Sequence, residues 1–246
     1  MLVKVLVVLP TYNESENIIE QLNNLDILRK TISNEYEITI VNVDDNSPDG
    51  TARIAKEMEL MNFHQIINSK KGGLGPAYLS AFKWGLAQDF DYFVEMDSDG
   101  SHLTTQLPDL LRASANHDLV IGTRWMVGGE IENWPWYRRV ISKIGTAYAS
   151  KALQIPLNDL TSGYRVMSRN FLNSLDLNAI SSKGYGFQIE MAMQAFVNGF
   201  AIAQIPITFV ARKAGRSKMT LGIALEAFRF ITMRGLSRVL KTINRR

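Results

Sequence analysis

The stretch VKVLVVLPTYNESEN, Val3–Asn17, decides how the chain is read. Its apolar half resembles the short hydrophobic core of a secretion signal. It runs straight into TYNESEN, however, with no small-residue cleavage site, so it reads as a first core strand. Helical spacing follows at once in SENIIEQLNNLDILRKTI, with Asn13 or Ser15 as the expected cap. The same strand-then-helix unit recurs: YEITIVNVDD precedes DGTARIAKEMELM, with Asp49 or Thr51 as the cap, and FHQIIN precedes GPAYLSAFKWGLAQ, opened by Pro76. YFVEMD, a helix over TTQLPDLLRASAN and the strand DLVIGTR complete the first half. Repeated βα units predict an α/β fold built on a mostly parallel, doubly wound sheet with flanking helices. Ligands on such sheets bind at the carboxyl ends of strands, where Asp44, Asp45, Asp97, Asp99 and Arg124 all fall.

The second half is less regular. WPWYRRVISKIGTAYASKAL predicts a helix, DLTSGYRVMSRNFLNSL a strand then a helix, GYGFQIEMAMQAFVNG a helix and FAIAQIPITFVAR one strand. KAGRSKM is a basic loop. From Leu221 onward, apolar residues and arginines alternate on a helical stripe. We therefore expect a catalytic domain over 1–220 and a C-terminal amphipathic helix over 221–246.

Composition narrows the function. A chain of 246 residues with 46% hydrophobic content can bury a proper core. It contains no cysteine, which excludes thiolate metal sites, disulfide scaffolds and cysteine nucleophiles. No apolar run approaches the ~18–20 residues of a membrane span. The chain is therefore expected to be soluble or bound at a membrane surface, and the location expected for it is cytoplasmic, peripheral on the cytoplasmic face of a membrane. The net charge of +3 is concentrated at the end: from Arg212 to Arg246, Glu226 is the only acid. Such a tail seeks anionic lipid, phosphorylated ligands or a membrane protein. Nucleic acid is not expected, because no DNA- or RNA-reading motif accompanies the charge.

The segment MDSDGSH places Asp97 and Asp99 two residues apart. If the backbone stays extended, both acids face one side, and two like charges there favour a shared cation. Hard oxygen ligands suit Mg²⁺ or Mn²⁺, and a solvated polar turn is the alternative. A calcium loop is excluded. Counted from Asp97, position 12 is Pro108; counted from Asp45, it is Lys56. KKGGLGPA lacks the Gly-Lys-Ser/Thr ending of a P-loop, although it could still approach a phosphate or sugar. His102 reads as a ligand or as a structural residue, Glu190 as a reactive carboxylate or as an arginine's partner. Trp134, Trp136 and Tyr137 suit sugar stacking or interfacial anchoring.

LPTYNE, VDDNSPDGT, KGGLG, MDSDGSH, GTR, RRVISK, LTSGYR, GYGFQIEM and PITFVARKAGRSKM occur in the order seen in polyprenol-phosphate mannosyltransferases. The chain resembles these family 2 glycosyltransferases, which have a GT-A fold, and within them the bacterial form without transmembrane helices. The resemblance spans Val3 to about Met219. It implies transfer of mannose from GDP-mannose to a polyprenyl phosphate, assisted by Mg²⁺ or Mn²⁺. Pro10, Tyr12 and Glu14 match nucleoside-holding positions, and Val43 and Asp45 match the base region. Asp97, Ser98 and Asp99 match the diphosphate and metal segment, with Ser101 where several relatives place a metal-binding Gln. Arg124 and Arg212 match donor- and phosphate-binding arginines, and Lys218 a donor-binding lysine. Arg138 and Ser142 match the acceptor phosphate site. Arg216 stands where many relatives carry Glu. By this reading Asp97, Asp99, Arg138 and Lys218 carry catalysis. A UDP-sugar-dependent transferase of the same type is the alternative. A nucleotidyltransferase would carry a Gly-rich, Arg-bearing loop after the first strand, and PTYNESEN is not one.

Overall fold

A computed structural model of the chain describes residues 2–180, 182, 184–212, 222 and 227–235. Strand β1 (Val3–Thr11) is buried on both faces, because helices cover both sides of the sheet. Val5, Val7 and Leu9 point into one core layer, with α1 (Ile18–Thr31), α2 (Thr51–Glu57) and α4 (Leu107–Ser114). Leu6 and Val8 point into the other, with α3 (Leu74–Leu86), α6 (Arg169–Asn173) and α7 (Gly184–Val197). Each such side chain, fully buried, contributes about 1.5–3 kcal/mol.

Seven strands form the main sheet. Besides β1 they are β2 (Tyr36–Asp44), β3 (Phe63–Ile67), β4 (Tyr92–Glu95), β5 (Leu119–Thr123), β7 (Arg165–Ser168) and β8 (Ile202–Pro206), in the order β3-β2-β1-β4-β7-β5-β8. The sheet is parallel except for β7, which runs antiparallel between β4 and β5. The chain steps from β1 outward to β2 and β3, then returns to β4 on the other side of β1. The crevice at that reversal is where open α/β sheets bind ligands.

Three expectations are corrected. FAIAQIPITFVAR is two strands, not one: β8 ends at Pro206, and β9 (Thr208–Val210) pairs with β6 (Glu130–Glu132) in a separate two-stranded sheet. Pro206 has no amide to donate, and the Ile207 amide bonds Thr123 O while its carbonyl accepts from Glu130 N. The cap of α1 is Asn17, not Asn13 or Ser15. The cap of α2 is Gly50, at φ 82°, although Asp49 does accept the Thr51 amide at 3.0 Å.

Candidate active site

Strand β4 stops at Glu95, so the extended geometry expected to carry Asp97 and Asp99 to one side does not persist. The acids lie in a turn that reverses at Gly100, whose φ of 76° favours a residue without a side chain. Three ties hold this turn. Ser98 Oγ donates to Pro10 O at 3.0 Å, joining it to the end of β1. The Ser101 amide donates to Asp99 Oδ1 at 3.0 Å. The Val210 amide donates to Ser101 O, and His102 bridges to Phe209, joining it to β9. Two residues beyond β9, Arg212 reaches back, with Nη2 3.2 Å from Asp99 Oδ2. The Asp97 side chain is about one-third exposed and that of Asp99 nearly buried.

His102 is structural. Its Nδ1 accepts from the Asp97 amide at 3.0 Å, and its ring stacks on Tyr164 with centroids 4.8 Å apart. Burial pushes its pKa down to about 3, against the pull of Asp99, so the ring is neutral. Phe209 meets His102 edge-on at 5.4 Å and Trp134 at 5.4 Å. The Arg138 guanidinium lies 3.9 Å from the Trp134 ring centre, a cation–π geometry. An aromatic chain, Tyr164–His102–Phe209–Trp134, thus runs from the acidic turn to Arg138.

Arg138 and Ser142 lie on α5 (Trp136–Leu153), on the half-buried side that continues into buried Thr146, Ala149 and Leu153. The aromatic cluster read from the sequence divides: Trp134 is buried in this chain, whereas Trp136 and Tyr137 face outward.

Arg124 is buried and held by Asp159, Nε to Oδ2 at 2.7 Å and Nη2 to Oδ1 at 2.9 Å. It is not an open phosphate clamp in this structure. Burial alone would raise the Asp159 carboxyl, but the guanidinium and its hydrogen bonds hold it below its ordinary range. Asp159 and Phe209 are site residues that the sequence reading missed. Asp159 sits 35 residues from its partner in a polar loop, and nothing local marks it.

On the nucleoside side, Tyr12 carries the Lys71 ammonium 3.8 Å from its ring centre. Glu14 is buried and accepts from Asn17 Nδ2 at 2.7 Å. Val43 is fully buried in the core. Asp45 accepts from Asn68 Nδ2 at 2.7 Å and from the Gly72 and Gly73 amides at 3.0 and 2.8 Å. The glycine-rich loop therefore cradles an internal carboxylate where an external phosphate was open as a reading. Glu190 is buried, with Arg234 Nη2 at 3.9 Å. Lys218, Arg216 and most of the expected C-terminal helix lie outside the described residues. The part that is described, 227–235, is helical and packs on α5: Phe228 stacks on Tyr148 at 5.2 Å.

A glycosyl transferase family 2 model matches residues 6–176, which includes the β1 end, the acidic turn and Arg124. The chain belongs to glycosyl transferase family 2. Two curated relatives are similar over most of its length. A polyprenol monophosphomannose synthase of Mycolicibacterium smegmatis is 42% identical over 88% of this chain and 81% of its own. An undecaprenyl-phosphate mannosyltransferase of Micrococcus luteus is 44% identical over 95% of each. The resemblance read from the motifs is thus borne out. Among solved structures, a glucosyl-3-phosphoglycerate synthase from Mycobacterium tuberculosis, in complex with Mn²⁺ and UDP, superposes with a TM-score of 0.67 at 20% identity. The match covers 94% of this chain and 79% of that one, and it bears out the GT-A fold. Among the described residues no helix is long and apolar enough to cross a membrane.

Proposed function

We propose that this family 2 glycosyltransferase moves mannose from GDP-mannose to a polyprenyl monophosphate, by a single displacement with inversion. The observation that carries the reading is the chain of contacts that ties the acidic turn to α5. The acidic pair, Arg212 and the inward face of α5 bearing Arg138 and Ser142 are linked through Asp99, Phe209 and Trp134. The curated relatives' names add the acceptor class and the sugar.

Among the described residues no group of three or more His, Cys, Asp or Glu side chains could hold an ion alone. A carboxylate pair without a third acid fits Mg²⁺ or Mn²⁺, which complete their shells with water and substrate phosphate. Asp97 and Asp99 would hold that ion, with Ser101 as a further protein oxygen. Bound there, it would act as a Lewis acid toward the departing diphosphate. Arg212 adds fixed positive charge where the leaving group gains negative charge, worth a few kcal/mol, and the family resemblance assigns Lys218, outside the described residues, the same role. Pro10, Tyr12, Glu14 and Val43 shape the nucleoside side, and Asp45 holds the loop that closes it. Ser98 fixes the acidic turn to β1. Arg124, paired with Asp159, supports the wall beside Trp134.

Arg138 and Ser142 orient the acceptor phosphate. A phosphate monoester has its second pKa near ~6, so at neutral pH the nucleophile is already anionic. No general base is required. The two carboxylates that could have served, Asp45 and Glu190, are engaged by the glycine-loop amides and faced by Arg234.

The test is transfer of radiolabel into organic solvent from GDP-mannose, with Mn²⁺ and a polyprenyl phosphate. Label that moves only from UDP-glucose would overturn the donor and sugar. Absence of transfer from any nucleotide sugar would overturn the enzyme reading.

A further inference from the structure

Tyr12 stands between two pinned neighbours. Thr11 Oγ1 donates to Asp44 Oδ2 at 2.9 Å, and the Asn13 amide donates to Ser47 Oγ at 3.0 Å. The backbone at the carboxyl end of β1 is thereby fixed to the end of β2, and the Tyr12 ring stays half-exposed. Lys71 lies on the loop after β3, and its backbone is held as well. The next two amides, Gly72 and Gly73, both donate to Asp45 Oδ2. Gly73 has a φ of 91°, which suits a residue without a side chain. What can move is the four-carbon stem of Lys71. It is exposed and carries its ammonium 3.8 Å from the Tyr12 ring centre.

This pair lies where a base would sit. The acidic turn follows β4, and β1, β2 and β3 are the next three strands in the sheet. Strands stand ~4.8 Å apart, so the loops after β2 and β3 lie roughly 10–15 Å from a diphosphate at that turn, room for a ribose and a base. A half-exposed aromatic ring is a stacking platform for any base, so Tyr12 does not choose among bases. Asp45 could read the amino edge of guanine, but both its oxygens are engaged: Oδ1 accepts from Asn68 and Oδ2 from the glycine loop. The Lys71 ammonium is the charged group in contact with Tyr12, and it only donates. Guanine offers such a donor two adjacent acceptors, O6 and N7. Adenine sets an amino donor beside its N7, and a pyrimidine has no N7.

We propose that Lys71 selects guanine: as the base stacks on Tyr12, the ammonium leaves the ring face for O6 and N7 of the base. This rests on the reading of GDP-mannose as the donor, and it deepens it. The exchange replaces a cation–π contact with charge-assisted hydrogen bonds, so it favours the loaded site. It needs no backbone movement, because Asp45 already holds the loop.

The experiment is calorimetric titration of GDP, 7-deaza-GDP, ADP and UDP into the full chain, with Mn²⁺ throughout. Wild type should prefer GDP to ADP and UDP by at least about tenfold, with 7-deaza-GDP, which lacks the N7 acceptor, in between. Lys71→Met keeps the length of the stem without the charge. It should weaken GDP by about tenfold and leave ADP and UDP unchanged. Lys71→Arg should restore the preference, and Lys70→Met should behave as wild type. Equal thermal melting would show that the variants fold. The base is held alike in the ground and transition states, so Lys71→Met should raise KM for GDP-mannose with kcat unchanged. Equal loss of GDP, ADP and UDP in Lys71→Met would place the ammonium on a phosphate and overturn the proposal. So would wild type that binds 7-deaza-GDP as tightly as GDP. Wild type that prefers UDP to GDP, and transfers sugar only from a UDP-sugar, would sink the donor reading and the proposal with it. Transfer from GDP-mannose, with the guanine preference undiminished in Lys71→Met, would sink the proposal and leave the donor reading standing.

Discussion

Replacing Glu95 by Gln should stabilise the protein at alkaline pH. Glu95 ends β4, is fully buried, and neither of its carboxylate oxygens completes a hydrogen bond. Its cross-strand neighbour Arg165 directs Nε, Nη1 and Nη2 to the carbonyls of Ser162, Gln188 and Leu160, at 2.8, 2.6 and 2.8 Å. Arg165 therefore gives Glu95 a nearby positive charge without a hydrogen bond. The Gln188 amide stands close enough to favour ionisation, yet neither of its atoms completes a bond. Burial dominates and raises the carboxyl from its ordinary 4.5 to about 7. Between those values the folded chain keeps a proton that the unfolded chain releases. The stability from this group is thus fully present below pH 4.5 and is lost as pH rises through about 7. The complete loss is about 3 kcal/mol, of which about 2 kcal/mol falls between roughly pH 5.5 and 8. Gln has nearly the same shape and no charge. Urea unfolding of both proteins from roughly pH 4 to 8 isolates the effect, because every other titrating group cancels in the difference. The variant should match wild type within error at low pH and exceed it by about 3 kcal/mol at roughly pH 8. Parallel pH profiles, or a variant less stable at pH 8, would refute the reasoning and show Glu95 ionised and held by Arg165.

Two further substitutions test the packing around the site. Asp159→Asn leaves the Arg124 guanidinium buried without its counter-charge and should cost about 3–5 kcal/mol in denaturant unfolding. Gly85→Ala would place a methyl 2.5 Å from Leu6 Cδ2 and 2.7 Å from Phe93 Cε1, within the layer under β1 and β4. Overpacking of that kind should cost about 1–3 kcal/mol, read as a lowered melting temperature.

The parallel half of the sheet was legible because β1 is apolar on both faces and each βα unit carries its own turn signals. Strand β7 was found, but nothing in SGYRVMSR marks its reversed direction, which follows from its place between β4 and β5. The break at Pro206 could have been read, since proline has no amide to donate and sits at strand ends or on edge strands such as β8. Tertiary pairing of its neighbour Ile207 with both Thr123 and Glu130 completes it. At the site, the carboxylates and arginines were visible as charges at strand ends. Their partners were not. Asp159 and Phe209 act across long sequence separations. Asp45 reads as a ligand-facing acid, but its Oδ2 holds the glycine loop and its Oδ1 accepts from Asn68. The split of Trp134 from Trp136 depends on α5 beginning at Trp136, after the cap at Pro135.

In the proposed reaction Asp97 and Asp99 bind the donor's diphosphate through a divalent cation. Calorimetric titration of GDP, with Mn²⁺ and then with chelator, into wild type and Asp99→Asn tests it most directly. Wild type should bind GDP at least about tenfold more tightly with Mn²⁺, the equivalent of about 1.4 kcal/mol. Asp99→Asn should lose that metal dependence while binding GDP no more weakly under chelation, since Arg212 is freed from its pair with Asp99. Equal GDP affinity with Mn²⁺ and with chelator in wild type, or an undiminished Mn²⁺ effect in the variant, would contradict the account.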